Sequence, residues 1–237
     1  MPFDTDVEHL LERCLGGDRG EVRDAVDHLL LDHPADDLLM NVMLPALDRV
    51  QQFDREDGAS QAAVNLMVRS LRLAVGRTIE RLDPTPLDAT LGPRRIALHC
   101  GTSLIEELQG EIFAAVLEHD GHVVRFSGGG VPADEILAEV GRTDPDVLLL
   151  FASAASDAPG IREVIDTIRS IDSRPDLQIA VGGGVFRRAP GLAEEIGADL
   201  WADDPVDLRV AIVDEADRRA FPEQRTVGRT RRLPKAA

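Results

Sequence analysis

The strongest constraint on this chain is a rhythm in its second half. Four short apolar runs, RIALHC (95–100), HVVRFS (122–127), DVLLLFA (146–152) and LQIAVGG (177–183), are separated by segments of helical length. Continuous apolar runs of this size fit strands buried on both faces. Helical segments are predicted at 104–118, 133–141 and 161–171. A further segment, 189–196, leads to a fifth short strand near 199–202, and a last helix covers about 206–219. Strand and helix in alternation predict a parallel sheet covered by helices on both faces. Ligands of such sheets sit beyond the carboxyl ends of the strands, near the point where strand order reverses. The loops at that edge are HCGTS, SGGGVP, ASAASDAP and GGGVFRR.

The first 82 residues have another period. Val7, Leu10, Leu11, Cys14 and Leu15 recur at helical spacing, as do Val22, Ala25, Val26, Leu29 and Leu30. Two more stripes run from Leu39 to Val50 and from Val64 to Leu82. Each is the apolar face of an amphipathic helix, broken at Gly16-Gly17, His33-Pro34 and Asp57-Gly58. Four helices with short connections predict a four-helix bundle over 1–82. The proline-rich stretch 83–94 reads as a linker, 95–219 as the sheet domain, and 220–237 as a basic flexible tail.

Composition narrows the function. A net charge of −17 argues against binding phosphate backbones or anionic membranes. Aromatics are 3% with no Tyr, which leaves little for stacking on bases. No apolar stretch is long enough to span a bilayer, and the acidic N-terminus lacks a signal pattern, so a cytoplasmic location is expected. Cys14 and Cys100 are expected to be free thiols, and no CxxC or HExxH motif suggests a zinc site.

A helical bundle before a five-stranded parallel domain resembles the cobalamin-binding module. That module occurs in methionine synthase, in corrinoid methyl-carrier proteins and in cobalamin-dependent light-sensing regulators. Three stretches carry the resemblance. EHLLERCLGGDRGEVRDAVDHLLLDHPADDLLMNVMLPALDRV is similar to the opening of the bundle. AAVLEHDGHVVRFSGGGVPADEIL is similar to the first helix, second strand and Val-Pro turn. VGGGVFRRAPGLAEEIGADLWADDP is similar to the Gly-Gly loop and the Ile-Gly-Ala-Asp segment after it. The resemblance spans about 7–219 and implies a bundle followed by a doubly wound, flavodoxin-like domain.

It also implies site residues. The family's Asp-x-His-x-x-Gly motif supplies the lower ligand to cobalt, and its three roles fall at Leu104, Glu106 and Gln109. Leu104 cannot accept the second-shell hydrogen bond, Glu106 is a harder ligand than imidazole, and Gln109 adds bulk where the nucleotide tail enters. The family's Ser-x-Leu, which lines the tail pocket, falls at Phe151, Ala152 and Ser153, while the Gly-Gly element remains at Gly182 and Gly183, followed by Gly184. On the bundle side, Phe53 is a candidate hydrophobic cap. Val64 and Asn65 stand near where the light-sensing regulators place a Glu-His pair.

The residues themselves leave alternatives open. Thr102 and Ser103 are candidates to hold polar groups of a ligand, or Ser103 and Glu106 simply form a capping box at a helix start. His99 is a candidate metal or haem ligand, or a packed residue at a strand end. His119 and His122 read as exposed turn residues. The expectation is a sensor or regulator that binds cobalamin or another tetrapyrrole without an axial histidine and signals through a protein partner such as a transcription regulator, with oligomers possible. The alternatives are a corrinoid methyl carrier for a methyltransferase, haem as the ligand, or a scaffold with no cofactor.

Overall fold

The computed structural model describes residues 3–83, 92–171, 174–202 and 204–220. The predicted linker falls mostly on 84–91 and the predicted tail on 221–237, outside the described residues. The chain divides into two compact units. One spans Met1–Thr90 with Ser103–His122, the other Leu91–Thr102 with Val123–Ala237.

The first unit holds α1 (Asp4–Gly16), α2 (Arg19–Asp32), α3 (Ala35–Leu38), α4 (Leu44–Arg55), α5 (Gln61–Ile79) and α6 (Leu104–His119). The local reasons for these boundaries are visible. Gly17 ends α1 in the left-handed region, φ 74°, which costs glycine little. Asp18 caps α2 by accepting from the backbone N–H of Gly20 at 2.7 Å and of Glu21 at 3.2 Å. Ser60 caps α5. The predicted third helix, 39–50, is real but composite: a π-helical segment, Leu39–Met43, joins α3 to α4. Its residues are apolar and buried apart from Asn41, so a widened turn leaves the apolar stripe intact and periodicity gives no sign of it.

Polar ties fix the helices to one another. Ser70 on α5 donates to the Cys14 carbonyl on α1 at 3.1 Å, and the Arg77 guanidinium on α5 pairs with both oxygens of Asp27 on α2. The fifth partner is α6, which packs with α4 and α5. Its residues from Ile105 to Leu117 are buried apart from Glu107 and Glu111.

The second unit holds a five-stranded sheet of β1 (Arg95–Cys100), β2 (Val123–Gly129), β3 (Val147–Phe151), β4 (Gln178–Gly182) and β5 (Leu200–Trp201). The order is β2-β1-β3-β4-β5 and every pairing is parallel. Strand order reverses between β1 and β3, the switch point of a doubly wound sheet. Helices α7 (Ala133–Thr143) and α8 (Ala158–Ile171) share one apolar core with Ala97, Leu148, Leu150, Ile179 and Val181. Two short helices, α9 (Gly184–Arg188) and α10 (Leu192–Ile196), and then α11 (Pro205–Asp214) complete it.

Three expectations change. Helix α9 forms inside the predicted GGGVFRR loop. Helix α11 stops at Asp214, short of the predicted 219, because its continuation is captured by the sheet. Gln178 Nε2 donates to the carbonyls of Glu215 and Arg218, and the Ala220 N–H donates to Asp199. His122 is buried and not an exposed turn residue: Gly121 turns at φ 86° and the His122 N–H returns to the Leu117 carbonyl, drawing the residue under the turn. Neither cysteine is in a disulfide, both are buried, and burial pushes the Cys14 thiol up to about 12. Among the described residues no helix is long and apolar enough to cross a membrane.

Candidate functional site

The start of α6 holds Leu104, Glu106 and Gln109, the positions to which the resemblance assigns the metal-binding motif. Ser103 Oγ accepts from the Glu106 N–H at 3.1 Å, and the Glu106 carboxylate accepts from the Ser103 N–H at 3.2 Å. This reciprocal capping box satisfies two backbone donors at the helix start. Glu106 is 2% exposed, and its carboxylate is folded onto the start of its own helix. Gln109 is also buried and donates to the Asp48 carboxylate of α4 at 2.9 Å. Leu104 is exposed, as is Ser103. Phe53, in the same unit, is half-buried and lies over Gly58. Val64 is core, and Asn65 accepts from Gln61.

In the second unit, the Gly-Gly element closes β4. Gly183 has φ 104°, and a Cβ there would run into the Ala152 backbone, so only glycine serves. At Gly182 a Cβ would meet Leu208 Cδ2 at 2.8 Å and the Phe151 ring at 3.2 Å. The space beside Gly182 is therefore filled by this chain's own side chains. The Gly184 N–H donates to Ser153 Oγ at 3.4 Å, and Arg188 donates to the Ser153 carbonyl. Ser153 and Gly184 thus come together, with Ser153 2% exposed.

His99 and Thr102 meet elsewhere, in a cleft of about 260 Å³ at the ends of β1 and β3. Its volume lies just below the roughly 300 to 1,000 Å³ of pockets for drug-sized ligands. Among the described residues no three His, Cys, Asp or Glu side chains group to hold a metal ion.

Sequence reasoning missed the group beside His99. Glu139 of α7 is buried, accepts from Arg125 and from Ser127 Oγ at 3.0 Å, and lies 3.8 Å from His99 Nε2. Burial pushes the Glu139 carboxyl up, and the bonds from Arg125 and Ser127 outweigh it and hold it below its ordinary value. For His99, burial pulls the imidazole down, against the opposing charge of Glu139. The missed signal was Glu139's place one turn after Ile136 and beside Val140, on the inward stripe of α7.

Comparison with known proteins agrees with this outline. A family profile for a B12 binding domain matches residues 94–209. Dimethylamine corrinoid protein 3 of Methanosarcina acetivorans is 26% identical over 100 residues, which is 42% of this chain and 46% of that protein. Dimethylamine corrinoid protein 3 of Methanosarcina mazei is 25% identical over 100 residues, 42% of this chain and 59% of that protein. The chain thus spans about half the length of the curated relatives it matches. In fold it is similar to the monomethylamine corrinoid protein of Methanosarcina barkeri, with a TM-score of 0.74 over 90% of this chain and 99% of that one, at 13% identity.

Glu106 and Gln109, both bonded within the helical unit, do not fit a corrinoid ligated by a protein imidazole at those positions. The sheet, its order and the glycines at the end of β4 do fit the module that binds one. Residues 94–209 of this chain match the family profile of the B12 binding domain, and the fold agrees with that of a corrinoid protein.

Proposed function

We propose that this chain is a corrinoid-binding carrier protein that serves a separate methyltransferase and takes its corrinoid without a protein-supplied axial imidazole. The likeness to the dimethylamine corrinoid proteins supports the carrier role over the sensor role expected from architecture. The observation that carries the mode of binding is the capping box: Glu106 occupies the histidine position and is bonded to Ser103. A corrinoid held here keeps its own base as lower ligand or has none. Light sensing draws no support from the bundle, where Val64 is packed in the core and Asn65 is bonded to Gln61.

Loading the purified protein with hydroxocobalamin or methylcobalamin, desalting it and recording the absorption spectrum tests retention. Reduction to the cobalt(II) state and electron paramagnetic resonance then reports the lower ligand. The expected spectrum is identical for unlabelled protein and for protein carrying ¹⁵N-histidine. Altered nitrogen coupling on labelling, or no retained corrinoid, overturns the reading.

A further inference from the structure

The cleft at the ends of β1 and β3 lies at the switch point, on the α7–α8 face of the sheet. It is lined by the second unit alone. Its walls are apolar at Val131, Ile136, Leu150, Ile161 and Val164, and Thr102, Ser156 and Asp157 add polar groups. His99 lines it at 2% exposure, and neither ring nitrogen has a hydrogen-bond partner. Glu139 Oε2, at 3.8 Å, is beyond hydrogen-bond reach, and its carboxylate is already engaged by Arg125 and Ser127. A buried imidazole left open on both sides is costly, and natural structures fill such sites with water or ligand.

The backbone is arranged around the same residue. Leu98 stands opposite Phe126 and Cys100 opposite Gly129, so β2 carries one extra residue beside His99. This is a bulge, a device that re-aims side chains next to sites, and Gly128 at φ 77° accommodates it. A Cβ on Gly129 would strike the Gly101 carbonyl, so the ends of β1 and β2 approach closely only because Gly129 is glycine.

We propose that this cleft is a binding site for a neutral primary carboxamide, with His99 as its hydrogen-bonding partner. A neutral imidazole presents one donor and one acceptor on diverging sides of its ring, and an amide meets whichever faces the cleft, its carbonyl accepting from the N–H or its NH₂ donating to the bare nitrogen. Asp157 in the lining and Glu139 behind His99 disfavour a carboxylate. A cation buried among five aliphatic walls is costly to desolvate. A cleft of about 260 Å³ suits a small molecule. The amide has two sources, a free small amide or an amide arm of the corrinoid, and only the second rests on the proposed function.

Long-range ¹H–¹⁵N spectra of the histidine rings, assigned to His99 by its loss in His99→Leu, test this on the full-length protein free of corrinoid. Nicotinamide is expected to move the His99 signals saturably with a Kd of about 1 mM, and nicotinate at least about tenfold more weakly. His99→Gln, which keeps a donor and an acceptor, retains binding, while His99→Leu loses it with the fold intact by circular dichroism. Hydroxocobalamin that displaces nicotinamide from His99 assigns the site to a corrinoid arm. Hydroxocobalamin retained without moving His99 assigns it to a free amide. No response to nicotinamide up to about 50 mM, equal binding of nicotinate, or binding that survives in His99→Leu overturns the site. Corrinoid retention, read by colour, reports separately on the proposed function.

Discussion

At the start of α6, the polar side chains that the family resemblance nominates are occupied within the chain: Glu106 by Ser103, and Gln109 by Asp48. At the end of β1, where the resemblance nominates no residue, His99 is just as deeply buried and both its nitrogens are open. Both positions obey parallel-sheet logic, one at a helix N-terminus and one at a strand C-terminus. They differ in where polar groups find partners. A group satisfied inside the chain contributes to stability and is unavailable to a ligand, whereas an open one costs stability and is available. In the reading we propose, the metal position at Glu106 has passed from the second kind to the first.

The largest expected effect comes from reversing that passage. The triple variant Leu104→Asp, Glu106→His, Gln109→Gly restores the ligating pattern at the α6 start. It is expected to raise corrinoid retention about 10- to 100-fold, the scale on which ligands and their supporting groups act. Labelling with ¹⁵N-histidine then alters the cobalt(II) resonance of the variant. Unchanged retention and an unaltered resonance would mean that α6 no longer faces a corrinoid.

Next in size is Glu139→Ala, which strips Arg125 and Ser127 of their common acceptor. Arg125 is half exposed and recovers water, so the loss is about 1–2 kcal/mol by urea denaturation. It also removes the charge that raises the His99 pKa, so His99 titrates lower still in proton NMR. Ser103→Ala comes third, removing one half of the capping box, for about 1 kcal/mol. A loss near 3 kcal/mol there would point to a role for Ser103 beyond capping.

Much of this was legible before any coordinates. The strands at 95–100, 122–127, 146–152 and 177–183 are short apolar runs, and four of the five sheet strands fall on them within two residues at either end. The capping box was legible because its partners are three residues apart. What stayed hidden depends on partners far along the chain. Gln109 meets Asp48 across 61 residues, and His99 approaches Glu139 across 40. The end of α11 is set by Gln178 and Asp199, on and beside other strands, and no local signal reports that.

The smallest effect at neutral pH, and the most discriminating, belongs to His99→Leu. Leucine of similar bulk removes an imidazole with two open nitrogens, so stability is expected to stay within about 1 kcal/mol of the parent or to rise. A loss of more than about 2 kcal/mol would show that the imidazole is held by contacts that matter to the fold. The pH profile adds a second arm. Burial lowers the folded-state pKa of His99 below its ordinary 6.5. As pH falls through 6.5 the unfolded chain takes up a proton that the folded chain refuses, so the unfolded state binds more protons and stability drops. Above that value the two states bind alike and His99 contributes no slope. Glu139, held below its ordinary 4.5, adds its own loss only at more acid pH, as protonation removes its bonds. The parent is therefore expected to lose stability between about pH 7 and 5, and His99→Leu to lose less there while keeping the steeper fall below about 4.5. If the two profiles run parallel, His99 is not the group that titrates. A carboxamide bound to the neutral imidazole raises stability at neutral pH and leaves the parent's loss between about pH 7 and 5 at least as steep, in which case the open imidazole at the end of β1 has found the partner that Glu106 found within its own helix; a flattened profile would mean that the ligand prefers the charged ring.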